Sequence, residues 1–365
     1  MRISDRYIGK QVLFGTLFAI VVLSLALVLG NLFKQIRPLL VDKHAPLWLV
    51  LRFVLNVLPF SLMFTIPWGF LSAVLLVFGR LSSDQELTSF RVAGVSLARL
   101  VVPVFVIAAV LSAGCLWLNV NVVPQARSSL TELLYEQAKR DPRSLLSPGM
   151  VHASLQGVKF FVEDQQGNSL IGLHLYRTAA DNAPEAPADA YLHARRFTFV
   201  VDETKKELRL KLYDASFETL KPDGSIEMFS AAEAEPYLIP FGTALMEKTK
   251  ASGMTNEEIV SFLARHTELT SRERVKYQAE ITQRYSFSMA CLAFAFVGVP
   301  LGMQARRRDS SGGLLLSLLL GTGYFLFTIL ANEGRTTTEA SFALWFPNVF
   351  CVVLGLVLFR RAQFK

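Results

Sequence analysis

Residues 79–94 read GRLSSDQELTSFRVAG and lie between two long apolar runs, roughly 47–79 and 99–123. A helix of about 20 apolar residues is long enough to cross the hydrocarbon of a bilayer. The quoted stretch therefore connects two membrane spans, which makes the protein a helical membrane protein.

The connecting stretch also carries the signals of a helix of its own. Ser83 is followed three residues later by Glu86, which is the spacing of a capping box. Leu87 and Phe90 then recur at the interval that places two side chains on one helix face. We predict a short helix at about residues 83–94.

The rest of the sequence extends this membrane pattern. Hydrophobic residues make up 52% of the 365 residues and charged residues only 18%, against about 25% charge in soluble domains. We predict six transmembrane helices, in the apolar runs at roughly 11–33, 47–79, 99–123, 283–303, 313–331 and 342–359. The second run contains Pro59 and Pro67 and is too long for one upright span, so we expect one kinked or tilted helix.

Chemistry-bearing motifs are missing from the sequence. The three cysteines fall in apolar runs, and the five histidines show no HExxH or HxH spacing, so we expect no metal site and no cofactor. There is no GxxxxGK[ST] phosphate loop and no GxSxG nucleophile elbow. We therefore predict a protein without enzymatic activity, and any energy for transport must come from a partner.

The distribution of basic residues predicts the orientation in the membrane. If the N-terminus is cytoplasmic, the cytoplasmic flanks hold twelve Lys or Arg residues and four acidic ones. Because basic residues concentrate on the cytoplasmic side of short loops, we predict that both termini and the 83–94 helix are cytoplasmic. The basic charge is spread over span flanks, which does not indicate nucleic-acid binding.

The long segment between the third and fourth spans has the pattern of β-strands. Apolar and charged residues alternate in ELRLKL (207–212), and the turn signals Gln166-Gly167-Asn168 and Pro222-Asp223-Gly224 follow strand-like runs. We predict an extracytoplasmic antiparallel β domain, a sandwich or jelly roll. The domain organisation is then 1–123 for spans 1–3, 124–282 for the β domain with flanking helices, and 283–365 for spans 4–6.

Helices are predicted at both ends of this β domain. Thr255 with Glu258 and Thr270 with Glu273 have capping-box spacing. We expect the second of these helices to run without a break into the fourth span. A helix over 124–140 is expected to continue the third span outward.

The function of the 83–94 helix has two interpretations. In one, it is an interfacial helix in which Glu86 only caps its own backbone. In the other, it is a coupling helix that docks on a cytoplasmic ATPase: Leu87 and Phe90 would fill a groove, and Glu86 or Arg91 would pair with charges of the partner.

A basic cluster lies at the outer end of the first span, against the usual charge bias. Lys34 and Arg37 share a helix face, and Lys43 and Arg52 follow them. Their side chains either snorkel to outer-leaflet phosphates or bind an anionic lipid headgroup. The β domain likewise allows two functions, because it could bind a soluble ligand in a membrane sensor or serve as a conduit for a molecule that leaves the membrane.

Several stretches resemble the lipopolysaccharide export permease family (LptF/LptG). They are DRYIGK (5–10), GRLSSDQELTSFRVAGVS (79–96), VP (123–124), VPLGMQARR (299–307) and LWFPN (344–348). The similarity covers nearly the whole chain, and its most specific part is 79–96.

The resemblance implies an ABC-type exporter of the bacterial inner membrane. Two paralogous permeases would form a heterodimer, driven by a cytoplasmic ABC ATPase dimer, and would pass lipopolysaccharide to a periplasmic β-jellyroll bridge protein that works with a single-span anchor. Glu86 resembles the coupling-helix glutamate of the family. Lys34 and Arg37 resemble its first-span basic residues near the lipid A phosphates, whereas Lys43 and Arg52 correspond less closely.

Overall fold

The computed structural model describes most of the chain, with gaps. The described residues are 3–35, 47–140, 151–155, 158–166, 169–177, 190–202, 207–220, 225–240, 251–266, 269–304, 310–331 and 337–363. The helices in chain order are α1 (Ile3–Gln35), α2 (Leu47–Ser83), α3 (Glu86–Val92), α4 (Leu97–Trp117), α5 (Val123–Arg140), α6 (Asn256–Arg265), α7 (Ser271–Ser288), α8 (Ala290–Gln304), α9 (Ser310–Ala331) and α10 (Thr337–Gln363). All of these helices except α5 lie wholly within one compact unit of the chain, and the strands belong to a second unit.

Five helical stretches are long and apolar enough to cross a membrane. They are Ser4–Gly30, Val50–Ser83, Leu97–Leu130, Gly313–Ala331 and Glu339–Arg361. A sixth span is present if α7 and α8, which are bent by 40° at Met289, cross together. The prediction of an unbroken helix into the fourth span is therefore wrong. The helical backbone is interrupted at Met289, whose amide bonds to Ser286 in a tighter turn.

Helix α2 is the central element of the helical unit. It is a single helix of 37 residues that contains both Pro59 and Pro67, as predicted. At about 1.5 Å per residue it extends about 55 Å, which exceeds the roughly 30 Å of hydrocarbon. Its side chains Phe70 and Phe78 are fully buried in a core that α1, α4 and α8 also line.

The third span contains a π-helical segment (Leu118–Val122), which joins α4 to α5. The predicted helical continuation over 124–140 is thus confirmed, but it follows a wider helical turn. Within this segment the Asn119 side-chain amide donates a hydrogen bond of 3.0 Å to the Ser288 hydroxyl. The irregular turn of one span is therefore bonded to the last residue of α7.

A buried polar cluster joins α7, α9 and α10. The amide of Asn348 donates to the Ser286 carbonyl at 2.8 Å and to its hydroxyl at 2.9 Å, and its oxygen accepts from the Tyr324 hydroxyl at 3.1 Å. The Ser286 hydroxyl in turn donates to the Leu344 carbonyl. Buried polar groups require such partners, and the cluster satisfies the asparagine of LWFPN inside an apolar span.

The second unit contains one antiparallel sheet in the order β1-β2-β3-β4-β5-β6. The strands are β1 (Val151–Leu155), β2 (Val158–Gln166), β3 (Ser169–Arg177), β4 (Ala190–Asp202), β5 (Glu207–Leu220) and β6 (Ile226–Pro240). The period-two prediction is confirmed, because one face buries side chains such as Val162, Leu173, Leu175, Leu192 and Ala194. Hairpins occur where turn signals predicted them, since Gln166 pairs with Ser169 and Leu220 with Ile226. The jelly roll and the proposed domain boundaries stay predictions.

Candidate functional site

Helix α3 is a separate seven-residue helix between α2 and α4. It begins after a turn in which Gln85 has a φ of 61°. The helix ends at Val92, and Gly94, two residues further on, has a φ of 78°, a left-handed conformation that favours glycine and is typical after a helix C-terminus. The amides of Gly94 and Val95 bond back to the carbonyls of Arg91 and Phe90. The predicted short helix is confirmed, with bounds inside the predicted 83–94.

The capping box predicted for this helix is wrong. Ser83 is the last residue of α2 and its hydroxyl donates to the Arg80 carbonyl, so it cannot cap the next helix. The residue at the N-cap position is Gln85, and no side chain bonds to the first-turn amides there. Ser83 and Glu86 have the spacing of a capping box, but α2 extends beyond its apolar run and includes Ser83.

The carboxylate of Glu86 instead bonds to two other elements of the chain. The hydroxyl of Tyr7 in α1 donates to Glu86 Oε2 over 3.2 Å, and Arg80 Nη2 at the end of α2 lies 3.9 Å from Glu86 Oε1. Arg80 also pairs with Asp84 at 3.6 Å. Glu86 therefore connects α3 with the first turns of α1 and the last turn of α2.

The remaining predicted residues of α3 divide between inside and outside. Leu87 is buried in the core of this chain, and Phe90 packs against the same core while half-buried. Arg91 is exposed, as is Val92, which is 84% accessible. The structure thus leaves Arg91 and Val92 available to a partner, while Leu87 anchors the helix.

Three of the quoted motifs meet where α2 ends and α3 begins. Tyr7 of DRYIGK reaches Glu86, and the hydroxyl of Ser82 donates to the carbonyl of Met303, in VPLGMQARR, over 2.7 Å. In the same motif Gly302 lies so close to α2 that an added Cβ would come within 2.8 Å of Phe78 Cβ. The motifs are distant in sequence and form one end of the helical unit.

The basic residues predicted for lipid binding are described only in part. Lys34 lies in the last turn of α1, but Arg37 and Lys43 lie outside the described residues. Arg52 is exposed on α2. This end of α1 packs against the start of α2 through Val28 and two apolar side chains, Phe53 and Val57.

Sequence reasoning missed Tyr7 and Arg80 as partners of Glu86. Both lie within quoted motifs, and Arg80 is close to Glu86 in the sequence. Nothing in the sequence, however, says that Tyr7 contacts Glu86, which lies 79 positions further along the chain. That information resides in the packing of α1 against α2, which a Ser24–Thr65 hydrogen bond of 2.8 Å also supports.

Comparison with known proteins gave one family. The family model described as lipopolysaccharide export system permease LptF/LptG matches residues 6–361, which is nearly the whole chain. No protein in the curated set matches.

Proposed function

Since the chain belongs to the LptF/LptG family of lipopolysaccharide export permeases, we propose that it is the transmembrane subunit of an ABC-type exporter. It extracts lipopolysaccharide from the inner membrane and passes it to a periplasmic bridge, while a separate cytoplasmic ATPase dimer hydrolyses ATP. The observation that carries the proposal is α3, a short helix between two spans that is bonded to the start of α1 through Glu86.

The proposed orientation places α3 and both termini in the cytoplasm and the sheet in the periplasm. It is supported by the twelve basic and four acidic residues of the flanks on that side. In this orientation α3 lies where an ATPase can reach it. The protein is a multi-pass protein of the inner membrane, in keeping with its family and its apolar helices.

The proposed coupling role is supported by which side chains of α3 are buried and which are exposed. Leu87 is inserted into the core, so a force on α3 is transmitted to the helical unit. The hydrogen bond from Tyr7 to Glu86 would transmit a displacement of α3 to α1 as well. The ATPase would bind the exposed surface at Arg91 and Val92, with Phe90 at its edge.

Two further contacts complete the proposed transport path. Lys34 and Arg37 would bind the lipid A phosphates at the periplasmic end of α1, because Lys and Arg are the usual partners of phosphate. Among the described residues β6 is an edge strand of the sheet, and its side chains Ile226, Met228 and Phe229 are each about two-thirds accessible. An edge strand can pair with a strand of another sheet, such as a periplasmic β-jellyroll bridge.

The test is lipid extraction in vesicles that contain this chain, the second permease and the ATPase. We expect Glu86→Ala to slow ATP-driven extraction, while Glu257→Ala, an exposed acidic residue of α6, leaves the rate unchanged. If Glu86→Ala changes neither extraction nor complex assembly, Glu86 has no coupling role.

Two more measurements address the partners and the lipid. Stable co-purification of a nucleotide-binding subunit supports the exporter, and its absence favours a membrane sensor with a ligand-binding β domain. Neutralising Lys34 and Arg37 together should weaken photocrosslinking of lipopolysaccharide to the end of α1. Equal crosslinking would mean that these side chains only snorkel to the headgroup layer.

A further inference from the structure

Three potential metal ligands lie together on the sheet although the sequence separates them. Glu163 is on β2, His174 on β3 and His193 on β4. His174 and His193 are direct cross-strand partners. Their ligand atoms and a Glu163 carboxylate oxygen all lie within 4.8 Å of one another.

These side chains point away from the buried face of the sheet. Leu173 and Leu175, the neighbours of His174 along β3, are buried, whereas Glu163 and His174 are 52% and 20% accessible. Residues alternate between faces along a strand, so the histidines and Glu163 share the open face. A cation could therefore reach them from solvent.

A glycine makes the approach of Glu163 possible. Gly172 has a φ of 68°, a left-handed conformation that favours glycine. A Cβ at this position would overlap the side chain of Glu163, which crosses this point of β3. Glu163 Oε1 thereby reaches His174 Nε2 at 2.8 Å, one strand away.

The second nitrogen of His174 already has a partner. His174 Nδ1 lies 2.7 Å from the Tyr191 hydroxyl on β4. A ligating histidine almost always donates its second ring N–H to an oxygen acceptor, usually a carboxylate, a backbone carbonyl or water, which fixes its orientation and tautomer. The Tyr191 oxygen can serve as that acceptor. Without a cation, Nε2–H donates to Glu163 Oε1 and Nδ1 accepts from the Tyr191 hydroxyl. A cation that binds Nε2 takes the place of that proton and requires the Nδ1–H tautomer, in which Nδ1–H donates to the Tyr191 oxygen.

We propose that Glu163, His174 and His193 form a binding site for a divalent transition-metal cation of the zinc class. Two imidazole nitrogens and one carboxylate oxygen form a ligand set that Zn²⁺ takes, with a fourth position left to water. Bound metal would cross-link β2, β3 and β4 on the open face of the sheet.

To accept the ion, the close Glu163–His174 pair must open, and ligand atoms that are separated by up to 4.8 Å must approach one another. In a tetrahedral site with bonds of about 2.0–2.1 Å, neighbouring ligand atoms are about 3.3 Å apart. The Glu163–His174 pair is now at hydrogen-bond distance, 2.8 Å. Because Glu163 is half exposed, rotation of its carboxylate opens the pair without moving the strands.

The proposal is tested by metal binding to the full chain, purified in detergent without a polyhistidine tag and stripped with a chelator. Calorimetric titration with Zn²⁺ should give one saturable site per chain. The double variant His174→Ala/His193→Ala should lose that site, while His266→Ala, which removes an exposed histidine of the helical unit, should retain it. Equal binding by the wild type and the double variant, or no binding by either, would overturn the proposal.

A second variant separates metal binding from folding. Tyr191→Phe keeps all three ligands and removes only the hydroxyl behind His174, so affinity should fall about 10-fold or more while circular dichroism stays unchanged. Co²⁺ as a probe should show a visible absorption band of a four-coordinate site in the wild type and not in the double variant. An unchanged affinity in Tyr191→Phe, or a Co²⁺ spectrum that is identical in both proteins, would contradict the site.

Discussion

The hydroxyl of Tyr7 donates a hydrogen bond of 3.2 Å to the carboxylate of Glu86, 79 residues further along the chain. The bond joins the start of the first span to a short helix that the sequence suggested as a docking element. The sequence suggested two roles for Glu86, capping of its own helix and pairing with a charge on a partner protein. The structure adds a third, because the carboxylate of Glu86 does not cap α3 and already has partners within the chain.

The first prediction concerns this bond. Tyr7→Phe should slow ATP-driven lipid extraction about two- to fivefold, since a partly exposed hydrogen bond contributes about 0.5–1 kcal/mol. We would measure the extraction rates of three variants: Tyr7→Phe, Glu86→Ala and the double variant. In the double variant the Tyr7 effect should largely disappear, because both changes remove one interaction. Fully additive losses would show that Glu86 acts without Tyr7.

A second prediction separates anchoring from docking within α3. Leu87 is 8% accessible and packs into the core, so Leu87→Ala should lower the free energy of unfolding by about 2 kcal/mol, at the low end of core truncations. Thermal unfolding in detergent checks this. The contrasting change is Val92→Ala, since Val92 is 84% accessible.

Val92→Ala should leave unfolding within about 0.5 kcal/mol of the wild type. It should instead weaken capture of the ATPase, measured by titrating the purified subunit onto reconstituted complexes. If Leu87→Ala reduced ATPase capture and left stability untouched, Leu87 would be a docking residue as the sequence first suggested.

The third prediction tests the close approach of α8 to α2. Gly302→Ala places a methyl group 2.8 Å from Phe78 Cβ, which cannot move away because Phe78 is fully buried. We expect a loss of about 1–3 kcal/mol in the free energy of unfolding, typical of overpacking. Gly323→Ala on α9 is the control, because nothing lies within 4 Å of its added Cβ. That change should be neutral or slightly stabilising; equal losses in both variants would mean that helix contact is not the cause.

The fourth prediction concerns the polar cluster at Asn348. Asn348→Ala removes three hydrogen bonds at a site that is 5% accessible, so we expect a loss of about 2 kcal/mol. Tyr324→Phe removes only one of them and should cost about 0.6–1 kcal/mol, as for single bonds inside membranes. Melting curves in detergent rank the two variants, and the reverse order would contradict the assignment of Asn348 as the centre of the cluster.

Much of the fold could be predicted from periodicity and length. Long apolar runs predicted the spans, and strict alternation in 207–212 predicted a strand with one buried face. The break at Met289 could not be predicted, because a bend inside an apolar run leaves the composition unchanged. The capping box predicted at Ser83 is wrong for a related reason, because the sequence does not show that α2 extends as far as Ser83.

The candidate site shows the same limit. Glu86 could be singled out from its motif, but its contact with Tyr7 depends on how α1 packs on α2. The cluster of His174 and His193 depends on strand register, which a search for sequence motifs does not consider. Local signals thus give elements and candidate residues, whereas long-range pairing decides which of them act together.

The last prediction concerns the bond between Asn119 and Ser288, which joins the π-helical turn of the third span to the last residue before the break at Met289. π-Helical turns are frequent at functional sites, and Asn119 Oδ1 is buried without a hydrogen-bond partner among the described residues. Asn119→Ala removes one bond and one unsatisfied oxygen, so the free energy of unfolding should change by less than about 1 kcal/mol. If the two irregular turns bend together, extraction should nevertheless slow several-fold, and Ser288→Ala should have the same effect without adding to it. Extraction rates that follow thermal stability alone would show that the bond is only structural.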